Sequence, residues 1–398
     1  MINIGWYFYR NYLNQDVINE IDKQKQDIRD KKKLNDAIQS IFEKQNKPIL
    51  DVTWDEREKV ATLENSQIIS LKTTYPGLFS GSGISHSTGE TGEFKLGFAF
   101  DHTTGQPYLP GSSIKGTIRS AFPFRLAKLA YYHKKKDEKE AKRMFEKANV
   151  LLNHYLLKSE YLSNLQSKQL FQLEWEIFEG AKITNLNDVW NEELTEINFA
   201  KLETEPIGSY ERDIFYDAFI SEPNLIHKIL GKDFITPHKH KTNRNLDALV
   251  NPIPIQFLKI LPNVTFQFNF DLKDAKLDGR VITAERKKEL FHQILLDFGI
   301  GAKTNVGYGQ FQDDRVTYTY YTGKIKASAV IEGIYQEPKK NEKNRHLCKL
   351  FIQENGQNKT IEAIGIYNGA IQVGTKVRYT VTQVSKKNEI TLGQIQPC

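Results

Sequence analysis

The chain has 398 residues, of which 39% are hydrophobic, and its 23 Phe and 18 Tyr supply many large side chains for folded cores. That length predicts about two to three domains, and that composition excludes a globally disordered chain. The net charge of +6 is too small to identify a nucleic-acid-binding protein by itself.

The two cysteines, Cys348 and Cys398, are too few for a disulfide framework or a cysteine-based zinc site. The start of the chain lacks the basic and apolar regions of a signal peptide. The chain contains no run of the roughly 18 uncharged apolar residues that a membrane-spanning helix needs. We therefore expect a soluble, cytoplasmic protein with no membrane partner and no cofactor.

Residues 1–65 precede the first clear strand pattern. Apolar residues between Asp16 and Asn46 recur at roughly helical spacing, among polar and charged ones. This pattern predicts an amphipathic helical extension broken into two pieces. A mobile linker is the alternative.

The main domain is predicted over residues 66–323. Branched residues at 67–75 indicate a strand, and residues 94–100 alternate in polarity. Ser113 is predicted to cap a helix that Pro123 interrupts. From Phe124 to Glu179 there is no Gly or Pro, which predicts a helical insertion over about 124–205.

Strand patterns return in the second half of this domain. They lie at residues 207–220, 266–272 and 311–321, and a helix is predicted from Thr283 to Phe298, before Gly299. Strand, helix and strand in this order favour an α+β fold with a ferredoxin-like or RRM-like core.

Residues 324–398 form a third region with about five short strand patterns. Turn residues separate several of them, which favours a small β-barrel-like domain, for example one of the OB type. The predicted strands are 325–330, 346–352, 360–366, 376–384 and 389–395.

A first glycine-rich segment, residues 107–119, has the chemistry of a phosphate-binding helix start. Glycines allow backbone N–H groups to approach an anion, the helix dipole favours negative charge, and hydroxyls and cations stand nearby. The segment also opens a basic block, with eleven Lys and Arg against four acids between Lys115 and Lys147. Such a site would hold RNA backbone without reading bases, whereas a turn with an ordinary helix cap is the alternative. The predicted contact residues are Gly111, Ser112, Ser113, Lys115 and Arg119.

A second glycine-rich segment, residues 299–309, holds four glycines in eleven residues. Ala302 stands where a P-loop requires glycine before its lysine, and Thr304 replaces the third glycine of a dinucleotide fingerprint. A nucleotide-binding loop is therefore excluded. We expect polar side chains here to bind phosphate oxygens and the tyrosine ring to stack on a base. The predicted contact residues are Gly301, Lys303, Thr304, Asn305, Gly307, Tyr308 and Gly309.

Histidines raise the question of catalysis or metal binding. His102 is predicted to contact RNA backbone, although it and His86 are also candidates for a general acid or base. His238 and His240 form a His-x-His pair among basic residues, with no third ligand at a recognisable spacing, so we expect an RNA-contacting loop. We predict no catalytic residue, no metal site and no enzyme.

The two glycine-rich segments together resemble the paired signatures of the RAMP superfamily of CRISPR RNA-binding proteins. The run at 97–116 looks most like the sixth-subunit family of type III-B (Cmr) RNA-silencing complexes. The resemblance spans residues 67–311, with weaker support at 215–219 and 237–254. It implies a RAMP fold and a non-catalytic subunit that binds CRISPR RNA toward the 3′ end of the guide. The implied partners are other type III-B RAMP subunits and, indirectly, target RNA.

One position departs from the catalytic members of that superfamily. Their backbone subunits carry an aspartate upstream of the Pro-Gly-Ser-Ser signature, and an ungapped count puts Lys95 there, which argues against cleavage by this chain. Two alternatives remain open. One is a metal-independent endoribonuclease that processes CRISPR transcripts with an essential histidine. The other is a backbone subunit that cuts target RNA with a carboxylate between Gly92 and Asp101.

Overall fold

The structure is a computed structural model of the chain. It describes residues 3–54, 66–83, 86, 88–162, 164–190, 193–224, 226–236, 254–313, 321–322, 325, 328–338, 345–354, 357–366, 376–384 and 390–397. Within these residues, no helix has both the length and the apolar character needed to cross a bilayer.

Seven α-helices of ten or more residues lie in the described part of the chain. They are α1 (Gln15–Asp27), α2 (Lys31–Leu50), α3 (Gly111–Ser120), α4 (Phe124–His133), α5 (Glu138–Val150), α6 (Ser167–Glu179) and α7 (Ala284–Phe298). Shorter helical turns lie at Ile4–Trp6, Tyr7–Asn11, Leu151–Tyr155, Leu156–Lys158, Leu186–Val189, Leu194–Glu196, Phe199–Lys201, Ser209–Glu211 and Thr304–Val306.

The strands fall into a central group and a C-terminal group. The first group is β1 (Gln67–Thr73), β2 (Tyr108–Leu109), β3 (Ala181–Ile183), β4 (Thr204–Pro206), β5 (Ile214–Phe215), β6 (Ala218–Glu222), β7 (Leu230–Ile235), β8 (Ile255–Ile260), β9 (Thr265–Asp271), β10 (Ala275–Leu277), β11 (Arg280–Ile282) and β12 (Phe311–Asp313). The second is β13 (Tyr321–Thr322), β14 (Val330–Pro338), β15 (Arg345–Glu354), β16 (Gln357–Ile366), β17 (Lys376–Val384) and β18 (Ile390–Pro397).

A central antiparallel sheet has the strand order β12–β1–β9–β6–β2, and β5 pairs with the far end of β9. In the middle of the sheet, Lys72 of β1 lies opposite Thr265 of β9, while Thr73 lies opposite Phe311 of β12. Helix α7 contacts β1, β12 and helix α3. The three phenylalanines of β9 are fully buried, as period-two alternation predicts for a strand with one face on the core.

The N-terminal helices belong to the same hydrophobic cluster as this sheet. Val17 and Ile21 of α1 and Ile38 and Phe42 of α2 are buried in it. A buried hydroxyl joins the regions, because Tyr12 donates to Asn46 Oδ1 (2.7 Å) and accepts from the backbone N–H of Phe94 (2.8 Å). The two predicted helical pieces are thus present, and their apolar faces pack on the core; the division at residue 65 stays a prediction.

The C-terminal strands form a separate sheet with its own buried cluster, which includes Cys348, Leu350 and Tyr379. The order is β13–β15–β14–β17–β18–β16, and β16 also pairs with β15. All five predicted strands overlap observed ones, although the pattern at 325–330 shares only Val330 with β14, and residues 326–327 lie outside the described part. The OB-type assignment stays a prediction.

Three further predictions need correction or limits. Ser113 does not cap a helix: α3 begins at Gly111, Pro110 holds the cap position, and no side chain caps it. Residues 94–100 form no strand, although Phe100 makes an isolated bridge with Pro107. Of the predicted strand 311–321, β12 covers Phe311–Asp313, and residues 314–320 lie outside the described part.

Candidate nucleic-acid interface

The two glycine-rich segments lie along opposite edges of the central sheet. Helix α3 follows directly after edge strand β2, and residues 299–309 connect the end of α7 to edge strand β12. Residues 79 and 80 join the two segments, because the Phe79 carbonyl accepts from the Ala302 N–H (2.9 Å) and the Ser80 hydroxyl donates to the Tyr108 carbonyl (3.0 Å).

Gly111, at the start of α3, has a packing role that the sequence did not indicate. A Cβ atom there would lie 2.3 Å from the carbonyl oxygen of Phe215, so only glycine allows this approach of two backbones. Its N–H donates to Asp217 Oδ1 at 2.7 Å. The predicted phosphate contact through this N–H is therefore corrected, since a carboxylate already occupies that donor and would repel a phosphate.

The exposed part of α3 is its hydroxyl-bearing first turn. Ser112 and Ser113 are exposed, and Gly116 has no atom within 4 Å of the position that a Cβ would take. The serine hydroxyls can thus reach a ligand in solvent, whereas the Ser113 N–H donates to the Pro110 carbonyl (2.8 Å).

The two cations of α3 are held by neighbouring side chains. The Lys115 ammonium lies 5.6 Å from the centre of the Phe215 ring, and burial lowers the pKa of this lysine, with a contribution from Arg119. Arg119 forms an ion pair with Glu179 and lies 5.7 Å from the centre of the Phe178 ring. Arg119 is therefore engaged within the protein, and Lys115 is half-buried.

The second segment is a tight loop folded against residues 77–79. The Ala302 N–H donates to the Phe79 carbonyl (2.9 Å), and the Gly309 N–H donates to the Gly77 carbonyl (2.8 Å). Gly301 has a φ of +99°, and a Cβ there would lie 2.7 Å from the Phe79 carbonyl oxygen. Both glycines are required by the loop's own geometry; the Gly309 N–H is occupied, which corrects its assignment as a phosphate contact, whereas exposed Gly301 stays a predicted contact.

The tip of this loop carries the accessible polar groups. Lys303 has a left-handed backbone (φ 65°), and its carbonyl accepts from the N–H groups of Val306 and Tyr308. Gly307, with a φ of +92°, donates its own N–H to the Thr304 carbonyl, so that donor too is taken. Thr304 is half-buried, Asn305 is exposed, and in the described part of the chain the Lys303 ammonium has no ion-pair partner.

Tyr308 does not provide a ring for base stacking. It is 7% exposed, and its hydroxyl donates to Asp233 Oδ2 at 2.7 Å. Burial works against ionisation of Asp233, but the same oxygen lies 2.6 Å from the buried Lys259 ammonium, and these two donors leave the pKa of Asp233 lowered. The ring also packs near Phe257, at 5.7 Å between centroids. A base could reach this ring only if the tyrosine left the core.

The four candidate histidines comprise an exposed one, a half-buried one and two outside the described residues. His102 is exposed on the turn that follows Asp101. His86 packs between Phe8 and Tyr12, at 4.5 and 5.1 Å between ring centroids, and burial lowers its pKa. His238 and His240 lie outside the described residues. Within the described ranges, no three His, Cys, Asp or Glu side chains are grouped as metal ligands.

The carboxylates near Lys95 differ in how fully they are bonded. Glu93 is fully buried; its Oε1 accepts from the Thr88 N–H at 3.1 Å, whereas its Oε2 has no hydrogen-bond partner among the described residues. Asp101 Oδ2 accepts three hydrogen bonds, from the N–H groups of Thr103 and Thr104 and from the Thr104 hydroxyl, at 2.7–3.1 Å. Asp101 therefore stabilises the turn that presents His102.

Two acids that were not predicted from the sequence determine how the first segment is held. Asp217 binds the start of α3 and Glu179 binds its end, although these acids lie far from residues 107–119 in the chain. The sequence did offer a reason to consider Asp217, because this acid interrupts the aromatic strand pattern at 215–219.

Comparison with known proteins gives consistent matches. A model of the RAMP superfamily matches residues 70–312. The CRISPR system Cmr subunit Cmr6 of Pyrococcus furiosus is 27% identical over 223 residues, which are 52% of this chain and 58% of that relative. The chain thus spans somewhat over half the length of this curated relative.

Solved structures with similarity include three from CRISPR proteins. The type III-B Cmr-beta complex bound to cognate target RNA contains a chain that is 19% identical, with a TM-score of 0.37 and coverage of 78% of this chain and 94% of that one. The crystal structure of Cmr6 from Pyrococcus furiosus is 20% identical, with a TM-score of 0.26 and coverage of 62% and 97%. A type III-A Csm–crRNA–target RNA complex gives 13% identity, a TM-score of 0.23 and coverage of 52% and 64%.

Proposed function

The chain belongs to the RAMP superfamily, and on that premise we propose that it is a non-catalytic, CRISPR-RNA-binding subunit of a type III-B (Cmr) effector complex. Its sequence similarity to a Cmr6 protein supports the choice of complex. In this role it lies toward the 3′ end of the guide, contacts other RAMP subunits, and meets target RNA only indirectly.

The observation that carries this proposal is the set of solvent-accessible polar side chains on each glycine-rich segment of a RAMP-family domain. Ser112 and Ser113 are exposed at the start of α3, and exposed Asn305 lies near half-buried Lys303 at the tip of the second loop. Hydroxyl, amide and ammonium donors hold phosphate oxygens and carry no base readout, so the expected binding is independent of sequence and sensitive to salt.

The finer fold assignment belongs to the same proposal. The order β12–β1–β9–β6, with α3 and α7 between the strands in the chain, is the arrangement expected of a ferredoxin-like core. We assign the C-terminal strands β14–β18 to a small OB-type domain, supported by the pairing of β16 with both β15 and β18.

The absence of catalysis is part of the proposal and has its own support. Lys95 stands where an ungapped count expects a catalytic aspartate, Glu93 is fully buried, and Asp101 holds its own turn. His86 is enclosed by aromatic rings and is a poor general acid or base, because burial disfavours its charged form.

The test is to co-express tagged protein with candidate complex genes and a CRISPR array, and to sequence the RNA that co-purifies. We expect CRISPR RNA together with other RAMP subunits. A lone protein that trims precursor RNA would refute the proposal, and metal-dependent cutting of target RNA that Asp101→Ala abolishes would show a backbone subunit instead.

A matched pair of variants locates the contact. Lys303→Ala removes an accessible cation from the second loop, whereas Lys135→Ala removes an exposed one from the basic block outside both glycine-rich segments. We expect the first to reduce the recovery of CRISPR RNA more than the second. Equal losses would assign binding to overall charge and not to the loop.

A further inference from the structure

A surface cavity of about 670 Å³ lies beside the start of α3 and includes the turn that carries Asp101 and His102. Its wall combines the N-terminal segment, the residues around 81–82 and 99–102, and the end of β2. The volume lies within the range of about 300–1,000 Å³ that is typical of small-ligand pockets. The side chains that matter for its chemistry are Trp6, Tyr9, Arg10, His102 and Tyr108.

The cavity has aromatic rings and a cation at its surface. Trp6 is 57% exposed, so its ring is accessible to a ligand in the cavity. Tyr108 is half-buried, and its ring stacks on Phe219 at 6.0 Å between centroids. Arg10 and His102 are both exposed. Rings together with a guanidinium match an unpaired base, whose flat face stacks on aromatic groups and whose phosphate attracts cations.

The wall of the cavity is held in place before any ligand binds. The Gly5 N–H donates to the Gly105 carbonyl (3.3 Å), and a Cβ on Gly5 would lie 2.7 Å from Phe100 Cβ. The Tyr9 hydroxyl bonds to Ser82 Oγ at 2.8 Å. Fixed walls lower the ordering cost of binding.

The cavity is continuous with the first glycine-rich segment. Pro110 lines it and is followed at once by Gly111, Ser112 and Ser113. Ser112 lies two residues from Pro110, at most about 7.6 Å between Cα atoms. The hydroxyls of α3 are therefore within the reach of a phosphate attached to a nucleoside in the cavity.

We propose that this cavity holds the base of one unpaired RNA nucleotide, whose phosphate lies against Ser112 and Ser113. The proposal rests on the RNA-binding function proposed above and adds to it a base-binding pocket built from the N-terminal segment. The wall carries polar groups as well as rings, among them the Asp101 carboxylate and the Ser82 hydroxyl.

The test compares two single-stranded RNA oligomers of equal length, one intact and one with every base removed, by fluorescence anisotropy with the full chain. We expect the intact oligomer to bind about 5- to 100-fold more tightly, which is the effect of stacking one base on an aromatic ring. Trp6→Ala should abolish this preference without changing affinity for the abasic oligomer, and Trp6→Phe should largely restore it. The control is Tyr210→Ala, which removes a 93% exposed ring outside the cavity wall.

The outcomes separate the two proposals. A preference for bases that survives Trp6→Ala, or RNA binding with no such preference, would overturn the base pocket and leave the RNA-binding function standing; the exposed ring would then serve a protein partner. No binding of either oligomer would overturn RNA binding by this chain together with the pocket.

Discussion

Two glycines of the glycine-rich segments should respond in opposite ways to the same substitution. At Gly309 the backbone has a φ of +70°, and an alanine Cβ would lie 1.8 Å from the Ile300 carbonyl oxygen. A left-handed conformation costs a residue with a Cβ about 1–2 kcal/mol. The clash also disturbs two hydrogen bonds of 2.8 Å, from Ile300 to Gly309 and from Gly309 to Gly77, each with a net value of about 0.5–1.5 kcal/mol. Gly309→Ala should therefore lower the free energy of unfolding by about 2–5 kcal/mol.

Gly116→Ala is the matched control. This glycine lies inside α3, has no positive φ, and has no atom within 4 Å of the place that an alanine methyl group would take, so alanine should stabilise the helix by about 0.5–1 kcal/mol. The measurement is urea unfolding followed by tryptophan fluorescence, because Trp54 and Trp175 are buried in the hydrophobic cluster that contains the central sheet. A stable Gly309→Ala protein, or a destabilised Gly116→Ala protein, would refute this reasoning. If Gly116→Ala weakens RNA binding while stabilising the fold, the glycine serves the ligand.

Three further results are expected. Lys303→Ala should leave the unfolding free energy within about 0.5 kcal/mol of wild type and reduce the slope of log affinity against log salt by about one, as titrations at several salt concentrations would show. Burial raises the pKa of Glu174 to about 7 from 4.5, so its stabilising contribution is complete below pH 4.5 and is lost as pH rises through 7. Urea unfolding at pH values from 5 to 8 should show the free energy of unfolding of wild type falling by about 2–3 kcal/mol relative to that of Glu174→Gln. If the two proteins lost stability in parallel over this pH range, the result would contradict this prediction. The Lys287 ammonium lies 2.6 Å from the buried carboxylate of Asp213. Lys287→Ala leaves that carboxylate without its cation and should lower the free energy of unfolding by about 3–5 kcal/mol. A Lys287→Met/Asp213→Leu double variant that is no more stable than Lys287→Ala would argue against this cause.

Local patterns in the sequence predicted the elements in which apolar side chains recur every second residue, as in a strand, or every three to four residues, as in a helix. The alternating phenylalanines of β9 and the apolar face of α7, from its Thr283 cap to Gly299, are both observed. The strand predicted from alternating polarity at 94–100 is not observed. The rings of this segment pack against the N-terminal segment, as Phe100 does against Phe8 at 5.5 Å between centroids.

The candidate site was harder to predict because its glycines and acids act across long stretches of chain. Gly111 is required by the backbone of Phe215, and Asp217 occupies its N–H, contacts that no local spacing reveals. Tyr308 looked like a surface ring because it stands between glycines, yet a distant aspartate, Asp233, holds it in the core. Residue type indicated a polar loop correctly, but which groups face solvent depends on tertiary packing.

The pairing of β1 with β9 also bears on how the chain is made. Thr73 bonds to the carbonyls of Leu261 and Val264, 188 and 191 residues later, so the central strand leaves the ribosome long before its partners. At about 5–20 residues per second, that interval is about 10–40 s, during which β1 has neither neighbour and presents open backbone to other nascent chains. Yield of folded protein should therefore depend on chaperone supply and growth temperature more than on the small net charge of the finished molecule.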